Sequence, residues 1–122
     1  PTALAASWDE DLVERLGLIL AAEARRKDVA VLLAPTVNLH RSPYAGRHFE
    51  CLSEDPLLSG RIAAAYVRGV QAGGVAATAK HFVANDSETE RFRLDARLDG
   101  VGTLQGDGER LVADRGRKTC SR

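Results

Sequence analysis

Apolar positions recur with two different spacings along the first 80 residues, and the alternation predicts an α/β chain. Over residues 7–26, Leu12, Leu16, Ile19, Leu20 and Ala24 return at helical intervals with Val13 beside the stripe, the pattern of a helix with one apolar face. Ser7 followed by Glu10 fits a capping box. Asp9 and Asp11 put negative charge at the positive helix end, and Arg25, Arg26 and Lys27 complement the other end. Val29-Ala-Val-Leu-Leu33 is short, continuous and rich in β-branched residues, as expected of a strand buried on both faces, and Pro35 stops it. Asp55 as N-cap and Pro56 at the first helical position open a second helix. Its buried face is Leu58, Ile62, Ala65, Tyr66 and Val70, and Gly73-Gly74 ends it. A second apolar strand, Val75-Ala-Ala-Thr-Ala79, then runs straight into Lys80 and His81.

Helix, strand, loop, helix, strand makes one and a half βα units, so parallel strands with right-handed crossover helices are expected. A polar cluster follows each strand. Asn38, His40, Arg41, Arg47, His48 and Glu50 lie in the loop 36–54, and Lys80, His81, Asp86, Glu88, Glu90 and Arg91 lie in 80–91. Parallel α/β folds build their sites at that end of the strands, so the two segments are expected to face one another. Two strands do not close a sheet, and a complete βα barrel takes roughly 200 residues or more. The expectation is part of a larger fold, with an open sheet edge that promotes association. The start at Pro1-Thr2-Ala3, in a chain without methionine, reads as an interior cut in a longer protein. From residue 98 the pattern ends in a glycine-rich run and then a charged one without periodicity. Such a stretch buries too little apolar surface to offset its chain entropy, so 98–122 is expected to be an irregular, disordered tail.

Composition narrows the function classes. The 122 residues are 44% hydrophobic, and seventeen basic residues balance seventeen acidic ones. That balance argues against a nucleic-acid partner, which a basic face would serve. No run approaches the ~18 apolar residues of a membrane helix, and no basic-then-apolar leader opens the chain. Cys51 and Cys120 form no metal-ligand spacing. His40, His48 and His81 show no HxxxH or HExxH pattern, so a metal-dependent hydrolase rests on the histidines alone and no metal is assigned. Nucleotide-binding glycine motifs and a Gly-x-Ser-x-Gly elbow are both missing, and no cofactor is implied.

Lys80 and His81, leaving a strand into a cleft, offer directed donors suited to neutral polyols such as sugars. The plainer alternative is a solvated lysine and a core histidine. Arg47 and Arg91 carry the same ambiguity, with Glu50 or Glu88 as ion-pair partners. Retaining glycosidases need two carboxyl groups about 5 Å apart, and no spacing among Glu50, Glu54, Asp55, Asp86, Glu88 and Glu90 singles out such a pair. Asp86 and Glu88 serve equally well to orient neighbouring cations.

Four motifs in order resemble glycoside hydrolase family 3. They are Pro35-Thr-Val-Asn-Leu-His-Arg-Ser-Pro43, Gly46-Arg-His-Phe-Glu50, Ser53-Glu-Asp-Pro56 and Lys80-His-Phe-Val-Ala-Asn-Asp86, and the opening Pro1-Thr-Ala-Leu-Ala-Ala-Ser-Trp-Asp9 is also similar. The resemblance implies a partial (β/α)8 TIM-like barrel over 1–97, belonging to an N-terminal domain that an α/β sandwich domain follows. It implies hydrolysis of terminal non-reducing β-D-glucosyl or related residues, with a small-molecule carbohydrate as partner. Arg47, Lys80, His81 and Arg91 match the family's sugar-hydroxyl ligands. No catalytic residue is assigned, because the family's nucleophile occurs in a Ser-Asp-Trp context not found here and its acid/base glutamate in the second domain. The Phe82-Val-Ala-Asn-Asp86 continuation disfavours the N-acetylhexosaminidase branch, which has a Gly-His-Gly loop. The departure after residue 95 suggests a frame-shifted tail near residue 98. The alternative from another class is a non-catalytic carbohydrate-binding fragment.

Overall fold

The computed structural model describes residues 1–82, 85–86, 88–93 and 95; the expected tail over 98–122 lies outside them. Helix α1 spans Thr2–Ala6, α2 spans Glu10–Arg26 and α3 spans Pro56–Ala72; β1 is Val31–Leu32, β2 is Ala76–Ala77, and a 3₁₀ turn covers His48–Glu50. The strands are parallel, with Val31 opposite Ala76 and Leu32 opposite Ala77, which confirms an α/β chain with parallel strands.

The start of α2 corrects the capping-box reading. Asp9, not Ser7, is the N-cap, its Oδ1 accepting from the Leu12 amide at 2.9 Å. Ser7 instead closes α1, an element the apolar pattern did not predict, and its hydroxyl donates to the Leu4 carbonyl at 2.6 Å. The second helix begins as the sequence implies. The Asp55 carboxylate accepts from the Leu57 and Leu58 amides at 2.8 and 3.5 Å, ahead of Pro56. At its other end Gly74 takes φ +81°, a left-handed conformation that glycine adopts without a Cβ penalty.

The buried face of α2 is also corrected. Val13, Gly17, Ala21 and Ala24 are buried, whereas Leu12 and Ile19 are 42% and 60% exposed. The reason is the seam with α3, where the two backbones meet at glycines. A Cβ on Gly17 would stand 2.9 Å from the Gly69 Cα, and one on Gly69 would stand 2.1 Å from the Glu14 carbonyl oxygen. Close approach selects small residues, and an apolar-stripe reading passes over them. The α3 face agrees better with expectation: Ile62, Ala65 and Val70 are buried, and Leu58 and Tyr66 pack against the core. One apolar cluster joins Val13, Ile62, Ala65, Val37 and Leu52; a second joins Ala21, Ala24, Val70 and Val75 beneath the strands.

The strands are shorter than expected and are not buried on both faces, since Val31 and Leu33 are 48% and 68% exposed. A two-stranded sheet leaves them without cover among the described residues. Parallel pairing nevertheless runs past the regular strands. The Thr78 amide donates to Leu32 and Ala34, the Lys80 amide to Pro35 at 3.0 Å, and the Val37 amide to the Lys80 carbonyl at 2.7 Å. Thr36 thus sits beside both Cys51 and Lys80. The Ala34–Pro35 and Lys80–His81 peptide bonds are cis. This extension of the ladder carries the two polar segments to one end of the molecule.

Candidate functional site at the strand ends

At that end lies an open cleft of about 520 Å³, lined by residues of both polar segments, among them Asn38, Arg47, His48, His81, Asp86 and Glu88. The size is within the range usual for small-molecule sites, about 300–1,000 Å³.

Ionic contacts beside the cleft alternate in sign. Lys80 Nζ is 3.2 Å from Glu50 Oε2, and Glu50 Oε1 accepts from Arg47 Nε. Arg47 then donates through Nη1 to Glu88 Oε1 at 3.0 Å, and Glu88 Oε2 accepts from Arg91 Nη1 at 3.1 Å. Lys80, Glu50, Arg47, Glu88 and Arg91 therefore form one chain of pairs drawn from both segments. The inner members are the more enclosed: the Arg47 and Glu50 side chains are 23% and 18% exposed, against 44% for Arg91.

Glu50 is the shared anion. Burial pushes its carboxyl up, but hydrogen bonds from Arg47, Thr36 and Lys80 outweigh that and bring it down to about 2. The Thr36 hydroxyl contributes a bond of 2.8 Å. The Glu88 carboxyl is lowered mainly by its hydrogen bond from Arg47. Both carboxylates are therefore ionised at neutral pH and hold cations, the orienting role that the sequence left open for Glu88.

His81 belongs to a second branch. The buried Asn38 accepts from the His81 backbone amide at 3.0 Å and lies 2.8 Å from the ring Nδ1. Its Nδ2 donates to Asp86 Oδ1 at 3.0 Å, and Asp86 Oδ2 is 3.8 Å from Arg41 Nε. Burial, with repulsion from Arg47 and Lys80, pushes the His81 imidazole below its ordinary value, so the ring is neutral at pH 7. His40 and His48 pack ring to ring at 4.7 Å, His40 Nε2 donating to the His48 carbonyl at 3.1 Å.

The four residues singled out from the sequence are thus drawn together unequally. Arg47 and His81 line the cleft, Arg91 reaches it through Glu88, and Lys80 stands further back, paired with Glu50 behind Arg47. Sequence reasoning passed over the part played by Thr36 and Asn38. The available signals were their position just after a strand and their place in the Pro35–Pro43 motif; their partners come from distant segments. Among the described residues no group of three or more His, Cys, Asp or Glu is arranged to hold a metal ion. No described helix is long and apolar enough to cross a membrane. Cys51 is buried, and burial raises its thiol, which leaves it protonated.

The chain can be compared with known proteins on these foundations. Residues 1–97 match the model of the glycosyl hydrolase family 3 N terminal domain. A β-glucosidase of Rhizobium radiobacter is 57% identical over 97 residues, covering 80% of this chain and 12% of the relative's length. β-Glucosidase B of Emericella nidulans is 53% identical over 95 residues, 78% of this chain and 11% of its own. Among solved structures, a β-glucosidase from Streptomyces venezuelae in complex with D-glucose superposes with a TM-score of 0.78 at 39% identity, over 81% of this chain and 13% of that one. β-Glucosidase 3B from Thermotoga neapolitana in complex with glucose gives a TM-score of 0.69 at 50% identity, over 71% of this chain and 12% of that one. The chain therefore spans about an eighth of the length of these relatives.

Proposed function

The chain belongs to glycosyl hydrolase family 3, and from that premise we propose that it is the sugar-hydroxyl-binding part of a longer enzyme hydrolysing terminal non-reducing β-D-glucosyl or related residues. In this reading residues 1–97 form part of a (β/α)8 barrel with right-handed crossovers, and 98–122 lie outside that domain. Arg47, Lys80, His81 and Arg91 bind the hydroxyls of the sugar at the cleavage point, and the catalytic carboxyl pair is supplied elsewhere in the enzyme.

The observation that carries the reading is that Arg47 and His81, from two segments, line one cleft, with Lys80 tied to Arg47 through their shared partner Glu50. Neutral polyols are recognised by fixed donors and acceptors rather than by net charge. Glu50 and Glu88 hold the cations in place and balance their charge, so the cleft presents directed N–H groups to neutral hydroxyls. Bonds of this kind strengthen as the ring distorts toward an oxocarbenium-like transition state. The role of Glu50 and Glu88 is accordingly to orient, since each is ionised and engaged by cations in the described structure.

Activity on an aryl β-D-glucoside tests the proposal. The longer enzyme should turn it over and lose at least ten-fold in kcat/KM on Lys80→Ala, about 1.4 kcal/mol of transition-state binding. The 122-residue chain by itself should show no turnover. Turnover by the isolated chain, abolished by Lys80→Ala, would contradict the assignment of the carboxyl pair to another part of the enzyme.

A further inference from the structure

We propose that Asn38 is a positioning residue that fixes His81 as its Nδ1–H tautomer, leaving Nε2 as the acceptor nitrogen of a ring that lines the cleft. The His81 backbone amide can only donate, so the Asn38 atom 3.0 Å away is the carbonyl oxygen. That places Nδ2 on the other side, where it donates to Asp86 Oδ1 at 3.0 Å. Both ends of the amide are satisfied in this orientation, and the flipped one would set N–H against N–H and oxygen against oxygen.

The same Asn38 oxygen lies 2.8 Å from His81 Nδ1. Two acceptors do not bond one another, so Nδ1 carries a proton. A neutral imidazole has only one ring proton, and Nε2 is therefore bare. Asn38 is 4% exposed, which leaves its amide little recourse to water if the ring turns away. An unconstrained histidine prefers the opposite, Nε2–H, tautomer in water, so the environment imposes this state on His81.

The consequence for recognition rests on the glycoside reading above. Arg47 and Lys80 have only donors, whereas His81 Nε2 accepts a hydrogen bond from a sugar hydroxyl. The site then requires a true hydroxyl at that position. A fluorine substituent, which accepts but does not donate, would satisfy the cations and fail at His81.

Nitrogen-15 spectra of ring-labelled histidine in the full chain test the tautomer without substrate, the His81 signal being identified by its loss in His81→Gln. The expected result is a protonated Nδ1 and a bare Nε2 at neutral pH. A ring predominantly in the Nε2–H form overturns the proposal. Asn38→Ala should release the ring toward Nε2–H, with helix content followed by circular dichroism. Persistence of Nδ1–H in a folded Asn38→Ala chain would overturn the role of Asn38. Adding D-glucose to the longer enzyme, where the whole sugar site is present, separates the two readings. A shift of the bare nitrogen supports both, whereas an unmoved Nδ1–H ring supports the tautomer and counts against the glycoside reading.

Discussion

The α2–α3 seam and the cleft at the strand ends both use arginine–glutamate pairs, yet the pairs do different work. Along the seam, Arg61 donates to Glu10 at 2.6 Å and Arg68 to Glu14 at 2.9 Å, with the arginine side chains 67% and 51% exposed. The helices there are held by backbone approach at Gly17 and Gly69 and by the buried apolar side chains beside it. In the cleft the order is reversed. Arg47 and Glu50 are largely enclosed, Glu50 serves two cations, and hydrogen bonds rather than apolar packing set the geometry. Enclosure decides which arrangement has energetic weight, because an exposed pair exchanges water for little gain while an enclosed charge depends on its partner.

The sharpest break in the comparison should come at the seam itself. In an open helix Gly→Ala gains up to about 1 kcal/mol. Gly69→Ala should instead lose about 3 kcal/mol by overpacking, because the new Cβ meets a backbone oxygen that cannot swing aside. The urea midpoint of the chain checks this. In the cleft, Glu50→Ala leaves Arg47 and Lys80 without their shared anion and should cost about 2 kcal/mol, consistent with hydrogen bonds to charged groups at ~1.5–3 kcal/mol each and residual exposure. Glu50→Gln, retaining an acceptor for Arg47, should cost less.

Acid sharpens the contrast further. The Glu50 carboxyl falls from its ordinary 4.5 to about 2 on folding, so the folded chain binds fewer protons in that interval. Its stabilisation is whole above pH 4.5 and is lost as the pH falls toward 2. His81 acts in the same direction: its lowered value makes the neutral ring's contribution complete above 6.5 and weaker as the pH drops below it. Thermal midpoints against pH should therefore decline on the acid side, and Glu50→Gln should flatten the part between 4.5 and 2. The smallest effect belongs to the exposed pair at the seam. Arg61→Ala should change stability by less than ~1 kcal/mol in the same urea titration.

What the sequence disclosed follows the same division between local and distant partners. The Asp55–Pro56 start and Gly73–Gly74 end of α3 were legible because caps act within one turn. The parallel pairing and the meeting of the two polar segments were legible because topology alone brings strand ends together. The buried face of α2 was not, since Gly17 carries no hydrophobic signal and Ala21 only a small one, and both are chosen by the nearness of α3. Ser7 was misread because α1 lies before it and takes up its hydroxyl. In the site, Arg47, Lys80 and His81 stood out by type and motif. The bonds from Thr36 to Glu50 and from Asn38 to Asp86 join residues 14 and 48 positions apart, and only the folded chain brings them together.

That the two polar segments form one hydroxyl-binding surface is tested most directly by a crystal structure of the longer enzyme with D-glucose bound. Polar atoms of Arg47, Lys80 and His81 should lie within about 3.2 Å of sugar oxygens, with Glu50 still bridging Arg47 and Lys80. A glucose bound in the catalytic site and touching none of the three would contradict it.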